Sequence, residues 1–440
     1  MSMRRMPVLP PPARSRSRMP HRQARAPQTP PPDHPRQGPR PLPLHLLAHA
    51  TTLMGSRAAL PLWKSGSLPW NPKLAAKAAE LKASLDAAGP DGWKCFEDAI
   101  TAESLKRHEA VLDGVALYRH HRHQRDLPDM PVLWRQGSTR LLDYRLPDSA
   151  GPPVLVVPSL INRSYILDLS RRRSLVRALA ARGLSPFLVD WDAPGEAERD
   201  FTLTDYIAGR LDRILDHILA LTGQKPALVG YCMGGDLALA LALRRSADIK
   251  GLALLATPWN FHAGREAHGK LLRALGPGLD ALIKVTGTLP LDILQALFAS
   301  LDPGLTARKF AAFARLKRRS ARARDFVALE DWANDGVDLA GPVARECLSG
   351  WYGDNDTMMG RWRVEGHVVD PAQLKMPMLS LIPERDRIVP PESALPLARA
   401  VEGAKTMMVK GGHVGMLLSA RAGSEAYTPL AKWLKRSLLQ

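Results

Sequence analysis

The residues with the clearest potential for chemistry are GYCMGG at positions 230–235, where a cysteine lies between glycines. An apolar segment predicted to be a strand, 227–231, precedes Cys232, and a segment rich in alanine and leucine, predicted to be a helix, follows it. This arrangement fits G-x-C-x-G, a tight strand-to-helix turn that presents a nucleophile. Gly230 and Gly234 suit it because the turn has no room for a Cβ atom. Since a helix N-terminus favours a thiolate, we interpret Cys232 as a nucleophile and not as an inert core cysteine.

A cysteine nucleophile needs a general base, and in enzymes with this turn the acid comes next along the chain and the histidine last. His413 lies in KGGHVG, residues 410–415, directly after the last predicted strand, and the two glycines before it allow the loop to turn its imidazole toward Cys232. Asp386 lies four residues beyond the predicted strand 378–382. We therefore predict a triad of Cys232, Asp386 and His413. The weaker candidates for the acid lie before that strand and are Asp354, Asp356 and Asp370.

Acyl transfer at this cysteine also needs hydrogen-bond donors for the oxyanion that forms on the substrate carbonyl. The backbone N–H of Met233, directly after the nucleophile, is the first predicted donor. The second is expected in the loop after the predicted strand 153–158. The candidate donors in that loop are the backbone N–H groups of Leu160 and Ile161.

Alternating strand and helix patterns predict the fold that positions these residues. Buried apolar strands separated by helices are typical of a parallel sheet that is covered on both faces. We predict an α/β hydrolase fold: a mostly parallel sheet with helices on both faces, a helical cap insertion and an N-terminal helical extension. The predicted strands after a hairpin at 130–145 are 153–158, 185–190, 227–231, 251–257, 378–382 and 406–409.

The pattern also divides the chain into five segments. The first 40 residues hold nine arginines against one acid and contain eleven prolines, too little apolar surface to offset the chain entropy of folding. We interpret this tail either as a weak tether to a polyanion or surface, or as a solubilising extension. The predicted segments are a disordered tail at 1–44, a helical region at 45–125, the first part of the core at 126–257, the cap at 258–374 and the second part of the core at 375–440.

The composition is that of a soluble globular protein, with 45% apolar and 24% charged residues and a net charge of +18. The longest stretch without a charged residue has 16 residues and includes two prolines, so no transmembrane segment is expected. Three widely spaced cysteines favour a reducing compartment such as the cytoplasm, without a disulfide or zinc site. His120, His121 and His123 have arginine neighbours and no matching carboxylate, so we predict no metal site.

Several motifs together resemble one known family. LINRSYILDL at 160–169, the pair at 190–191, the turn at 230–235 and the loops around Asp386 and His413 resemble the catalytic subunit of polyhydroxyalkanoate synthases. The likeness extends over roughly residues 115–440. It implies that a cysteine attacks a 3-hydroxyacyl-CoA thioester, with coenzyme A as the leaving group and no other cofactor. It also implies that the histidine is the base and that the aspartate helps to activate the hydroxyl that extends the polyester. By position these roles belong to Cys232, His413 and Asp386.

The resemblance carries further expectations. It implies a polyester product, a place at the surface of polyester granules in the cytoplasm, and either a homodimer or a second synthase subunit, because the short N-terminal region is similar to the class that uses one. No specific nucleic-acid partner is expected. One departure from the family pattern is Asp236, which follows the double glycine where the family usually has a small uncharged residue. It bears on the packing of the helix after Cys232.

Two other functions remain open from the sequence. The first is a cysteine-dependent hydrolase, either an acyl-CoA thioesterase or an enzyme like dienelactone hydrolase, which shares the G-x-C-x-G turn. The second is a non-enzymatic scaffold that binds partners. The insertion at 258–374 and the segment 161–169 favour the synthase, because small dienelactone hydrolases lack both. A basic stretch at 308–324 is interpreted either as a solvated cap helix or as a contact for coenzyme A phosphates.

Overall fold

A computed structural model describes residues 35–147, 150–264 and 266–439. Most of the predicted tail, residues 1–34, therefore lies outside the described residues. The centre of the fold is an eight-stranded sheet, and the fold prediction of an α/β hydrolase is confirmed. Its strands in chain order are β1 (Val132–Gln136), β2 (Thr139–Asp143), β3 (Pro153–Val157), β4 (Ser185–Asp190), β5 (Ala227–Tyr231), β6 (Gly251–Leu255), β7 (Met378–Pro383) and β8 (Lys405–Val409).

The order of the strands across the sheet is β1-β2-β4-β3-β5-β6-β7-β8. The β1–β2 and β2–β4 pairs are antiparallel, and every later pair is parallel. Strands β3, β4, β5, β6 and β7 are buried along their whole length, as expected for parallel strands covered on both faces. Because β3 lies beside β5, the loops after these two strands meet at the same edge of the sheet.

Helices cover both faces of the sheet. Along helix α6 (Asp212–Thr222), Ile214, Leu215 and Ile218 are fully buried. This spacing presents one apolar face to the sheet. Helix α7 is buried from Met233 to Ala242, because it runs through the centre of one face. The helices of the core are α5 (Leu175–Ala180), α6 (Asp212–Thr222), α7 (Met233–Arg244), α13 (Pro391–Ala400), α14 (Gly415–Leu418) and α15 (Thr428–Leu439).

The cap lies between β6 and β7 and consists of helices, short strand pairs and a π-helical segment at Glu346–Gly353. Three tryptophans in it are buried: Trp332, Trp351 and Trp362. Two-residue strands pair Thr288–Leu289 with Leu339–Ala340. The helices of the cap are α8 (Glu266–Thr286), α9 (Leu291–Ser300), α10 (Leu305–Ala314), α11 (Ala321–Asn334) and α12 (Gly341–Arg345).

The N-terminal helices pack on the cap. An apolar cluster lies between helix α4 (Gly89–Arg119) and the cap helices α10 and α11. It includes the buried side chains of Tyr118, Phe310 and Val327. Helices α4 and α10 approach so closely at Gly114 that a Cβ atom there would lie 2.1 Å from the carbonyl oxygen of Phe310. The helices of this region are α1 (Leu42–Ala58), α2 (Leu60–Lys64), α3 (Pro72–Ala87) and α4 (Gly89–Arg119).

One sequence prediction needs correction. The predicted disordered tail ends too late, because α1 begins at Leu42 and Arg36 is buried against Asp331. Helix α5 is short, since the chain before it forms a short strand pair and Ser174 caps the helix. Among the described residues, no helix has the length and apolar character needed to span a membrane.

Candidate active site

Cys232 lies in the turn between β5 and α7 with a backbone that few residues other than glycine adopt, φ 56° and ψ −133°. The flanking glycines explain why the turn closes. A Cβ atom at Gly230 would lie 2.4 Å from Gly235 Cα, and one at Gly234 would lie 2.2 Å from the carbonyl oxygen of Val157. These contacts are with backbone atoms, which cannot move aside easily. The strained turn therefore holds the thiol of Cys232 at the edge of the sheet.

His413 and Asp386 meet beside this turn although 27 residues separate them in sequence. The distance from His413 Nδ1 to Asp386 Oδ2 is 2.7 Å. The other oxygen of Asp386 accepts hydrogen bonds from the backbone N–H groups of Ile388 and Val389, at 2.8 and 2.9 Å. Both carboxylate oxygens are thus occupied. The loop after β7 fixes the carboxylate, and the carboxylate fixes the imidazole.

The second ring nitrogen of His413 is not engaged by Asp386, and the imidazole lines the same cavity as Cys232. Tyr231 supports the ring from one side, with ring centroids 5.2 Å apart. Burial lowers the pKa of His413, but the negative charge of Cys232 and the hydrogen bonds with Asp386 and Cys232 raise it to about 10 overall. The site therefore favours the protonated form of His413.

The predicted oxyanion loop lies directly against the turn, because Gly234 touches the backbone of Val157 and Pro158. Ile161 lines the cavity above Cys232, and its backbone N–H donates to Ser159 Oγ at 3.2 Å. Leu160 instead packs into the apolar core and is 4% exposed. Met233 begins α7, so its N–H is one of the first helical N–H groups, which lack an intrahelical acceptor.

A cavity of about 370 Å³ lies above Cys232 and His413, between the core and the cap. Most of its lining is apolar. The cap contributes one ion pair, in which Lys309 Nζ lies 2.8 Å from Glu330 Oε2, and Glu330 is 2% exposed. The sequence predicts Lys309 only as part of a basic stretch, and no sequence pattern marks Glu330 as a residue of the site. The residues that line the cavity from the cap are Gln295, Phe298, Leu305, Lys309, Leu329, Glu330, Trp332 and Ala333.

The segment 160–169 joins the core to the cap. Arg163 forms ion pairs with Asp192 at 2.6 Å and with Asp335 of the cap at 3.1 Å, and its backbone carbonyl accepts a hydrogen bond from Trp332 Nε1 at 2.8 Å. Tyr165 donates to the same Asp335 at 3.1 Å. These contacts hold the cap over Cys232. The segment therefore has a structural role in addition to its place beside the oxyanion loop.

The weaker acid candidates lie away from this site. Asp354 and Asp356 form ion pairs with Arg273 and Arg361 in the cap, and Asp370 caps a short 3-10 helix. Among the described residues, no group of three or more histidine, cysteine, aspartate or glutamate side chains is placed to hold a metal ion. The three cysteines are not joined in disulfides.

Asp236 is a buried acid in α7, four residues after Cys232. Its side chain is fully buried, and neither carboxyl oxygen has a hydrogen-bond partner among the described residues. Burial, followed by the nearby negative charge of Cys232, raises the pKa of Asp236 well above its ordinary value. Burial therefore favours the neutral form of this carboxyl. This accommodates an acid in the helix behind Cys232 without placing a second negative charge there.

The chain matches the family model described as alpha/beta hydrolase fold over residues 152–420, and it belongs to that family. Within it, the chain belongs to the poly(3-hydroxyalkanoate) polymerases. It is 30% identical to the poly(3-hydroxyalkanoate) polymerase subunit PhaC of Allochromatium vinosum, in a match that covers 66% of this chain and 82% of that protein. The subunit of Synechocystis sp. is 32% identical, with 64% and 77% covered.

The match to the poly(3-hydroxyalkanoate) polymerase subunit PhaC of Haloferax mediterranei, at 29% identity, covers 69% of this chain but only 63% of that longer protein. Among solved structures, an esterase from Thermogutta terrifontis is 19% identical, with a TM-score of 0.43 and with 72% of this chain and 100% of that chain covered. A likeness at that TM-score carries no argument about function. The sequence relatives alone therefore identify the family.

Proposed function

We propose that the protein polymerises 3-hydroxyacyl-CoA into polyhydroxyalkanoate through an acyl-enzyme on Cys232, with release of coenzyme A. The observation that carries the proposal is the placement of Cys232, in a strained turn, beside a histidine that a buried carboxylate orients at 2.7 Å. A nucleophile, a base and an orienting group in hydrogen-bond reach are the requirements for covalent acyl transfer.

In the first half of the reaction, the Cys232 thiolate attacks the thioester carbonyl. A bond forms between Sγ and the carbonyl carbon, and the oxyanion is stabilised by the N–H of Met233 and a second donor in the loop 159–161. The bond to the coenzyme A sulfur then breaks, and the leaving thiolate takes a proton from His413. This step exchanges one thioester for another, so its free-energy change is small.

In the second half, the hydroxyl of another 3-hydroxyacyl group attacks the acyl-enzyme. Neutral His413 takes the proton of that hydroxyl, the new ester bond forms, and the Cys232 thiolate leaves. Both oxygens of Asp386 are already engaged, with His413 and with the backbone at 388–389, so Asp386 acts on the hydroxyl through His413 in this scheme. A thioester intermediate suits this step because it is more reactive toward an alcohol than a serine ester is.

The cap supports transfer to a hydroxyl over transfer to water. The cavity above Cys232 has mostly apolar walls, and the contacts of Arg163 and Tyr165 hold the cap on the core. A covered apolar cavity disfavours water as the competing acceptor. A homodimer or second subunit, and a place at the polyester granule in the cytoplasm, are further parts of this proposal.

The decisive experiment incubates the purified protein with 3-hydroxybutyryl-CoA and measures released coenzyme A and insoluble polyester together. Polymerisation predicts that both rise in proportion. Release of coenzyme A with free 3-hydroxybutyrate and no polymer would instead identify a thioesterase. If the protein turns over no substrate, with or without a second synthase subunit, the non-enzymatic binding scaffold is the remaining hypothesis for its function.

A further inference from the structure

One cavity outside the catalytic site lies at the junction of the N-terminal helices and the cap. It has a volume of about 1060 Å³ and lies between the C-terminal end of α4, with the chain at 120–124, and the turn that joins α10 to α11. We call it the basic groove, because its lining includes three histidines and the four arginines Arg122, Arg318, Arg319 and Arg324, against the single acid Asp113. Such a concentration of positive charge attracts anions.

The arginines of the basic groove are free of carboxylate partners. Elsewhere in the cap, Arg308 pairs with Asp302 at 2.6 Å and Arg345 pairs with Asp280 at 2.9 Å. Among the described residues, no carboxylate lies within ion-pair distance of Arg122, Arg318, Arg319 or Arg324, and all four side chains are exposed. Apart from one hydrogen bond that Arg324 donates to a backbone carbonyl, their donors are thus available to a ligand from solution.

The walls of the basic groove are nevertheless fixed by hydrogen bonds. His121 Nε2 lies 2.9 Å from the carbonyl oxygen of Arg318, which ties the chain after α4 to the turn before α11. Arg324 donates to the carbonyl oxygen of Arg319 at 2.7 Å, and the guanidinium of Arg36 donates to the carbonyl oxygens of His121 and His123. The groove is therefore preformed, which lowers the entropic cost of binding.

Two helices connect the basic groove to the catalytic cavity. On α10, Leu305 and Lys309 line the catalytic cavity whereas Ala314 lines the groove. On α11, Arg324 lines the groove. Four residues further along the same helix line the catalytic cavity: Leu329, Glu330, Trp332 and Ala333. At a rise of about 1.5 Å per residue, these positions are about 8 to 14 Å apart along either helix.

We propose that the basic groove binds the phosphate groups of the nucleotide end of coenzyme A, while the pantetheine arm extends along α10 and α11 and presents the thioester to Cys232. This inference rests on the proposed function and adds the site that recognises the substrate's phosphates. The pantetheine arm contains two amide bonds and reaches roughly 15 Å when extended, by analogy with an extended peptide. Arginine is suited to the role, because its planar guanidinium binds phosphate oxygens through two hydrogen bonds.

The kinetic test compares two thioesters that differ only in the phosphorylated nucleotide, 3-hydroxybutyryl-CoA and 3-hydroxybutyryl-pantetheine. In the variant R318Q/R319Q, we expect KM for the coenzyme A thioester to rise about tenfold, with kcat changed less, because contacts remote from the reacting atoms are lost. Kinetics with the pantetheine thioester should stay unchanged. The matched control is R315Q/K317Q, from the same stretch but outside the groove lining, and it should behave as wild type.

A binding measurement separates failure of this proposal from failure of the proposed function. Calorimetry with adenosine 3′,5′-bisphosphate should detect binding to the wild type and the control, and a loss of about tenfold or more in R318Q/R319Q. Inorganic phosphate, titrated separately, should bind much more weakly than the nucleotide. If neither thioester turns over, this measurement still shows whether the basic groove binds the nucleotide. Equal binding in all three proteins, no binding to any of them, or an equal rise in KM for both thioesters would overturn the proposal.

Discussion

Arg36 and Asp331 form a buried ion pair that links the start of the described chain to the cap. Arg36 Nε lies 2.5 Å from Asp331 Oδ1. The side chains are only 8% and 6% exposed. Tyr118, near the end of α4, donates to the same carboxylate oxygen at 3.0 Å. Three separate segments therefore meet at one carboxylate.

The first prediction concerns this ion pair. Arg36→Ala should destabilise the fold by about 3 to 5 kcal/mol, because it leaves the carboxylate of Asp331 buried without its charged partner. Urea unfolding of Arg36→Ala measures the loss, and Arg57→Ala, at an exposed position on α1, is the control. Deletion of residues 1–34 should leave the unfolding midpoint unchanged, whereas deletion of residues 1–40 should lower it. Equal midpoints for the two deletions would show that the pair contributes no stability.

The second prediction concerns the nucleophile. Cys232→Ala should abolish coenzyme A release and leave the fold intact, because the turn tolerates a smaller side chain but the reaction requires a thiolate. Steady-state release assays test this, and Cys95→Ala, at an exposed cysteine, should retain full activity. The loss of a nucleophile should cost several orders of magnitude in rate. More than about a tenth of wild-type activity in Cys232→Ala is incompatible with the assignment.

The third prediction separates the base from the acid. His413→Ala should fail to form the acyl-enzyme, since the thiol then lacks its base. Asp386→Asn should still acylate Cys232 in a single turnover but should elongate the polyester poorly. Rapid-quench measurement of the covalent intermediate distinguishes the two variants. Equal loss of acylation in both would show that Asp386 is needed to form the acyl-enzyme as much as His413 is, and the thioesterase would then be an equally good explanation.

The fourth prediction concerns the pKa of His413. Two of the influences that raise this pKa to about 10 are the negative charge of Cys232 and the hydrogen bond with it. Cys232→Ala removes both, while burial continues to lower the pKa, so the pKa of His413 should fall in that variant. An NMR titration of the imidazole in both proteins measures the change. An unaltered titration would mean that Cys232 does not interact with His413 as an ion pair.

The fifth prediction concerns Asp236 and the pH dependence of stability. Burial raises the pKa of Asp236 well above its ordinary value of 3.8, so the folded state keeps a proton that the unfolded state loses. The contribution of Asp236 to stability is therefore complete below that ordinary value and is lost as the pH rises toward the folded-state pKa. Over that range the loss reaches at most about 1.4 kcal/mol per pH unit.

Asp236→Asn cannot titrate and should lack this part of the decline. Urea unfolding at pH 5 and at pH 7.5 compares it with the wild type and with Asp98→Asn, a control at an exposed position on α4. The free energy of unfolding should fall less between the two pH values in Asp236→Asn than in the other two proteins. An identical decline in all three would show that the carboxyl of Asp236 is not buried in neutral form.

Local sequence patterns were enough to predict the succession of strands and the residue types at the turn that holds Cys232. Strands at 185–190 and 227–231 were predicted with the bounds the structure has, because each is a short, mostly apolar run without helical periodicity. The residues of the predicted triad followed from their position after predicted strands, which the order of the fold brings to one edge of the sheet. Local patterns suffice to predict these positions because each residue follows a predicted strand, and the order of the strands determines where it lies in the sheet.

The way in which distant segments meet became known from the three-dimensional structure. The cap residues Lys309 and Glu330 line the catalytic cavity, and Arg36 is buried against the cap, yet no local pattern distinguishes these charged residues from solvated ones. The structure also separates Ile161, on the cavity, from Leu160, in the core, although the two are adjacent in sequence. Burial and pairing of a charged side chain depend on contacts between residues far apart along the chain, and such contacts leave no periodic signal in the sequence.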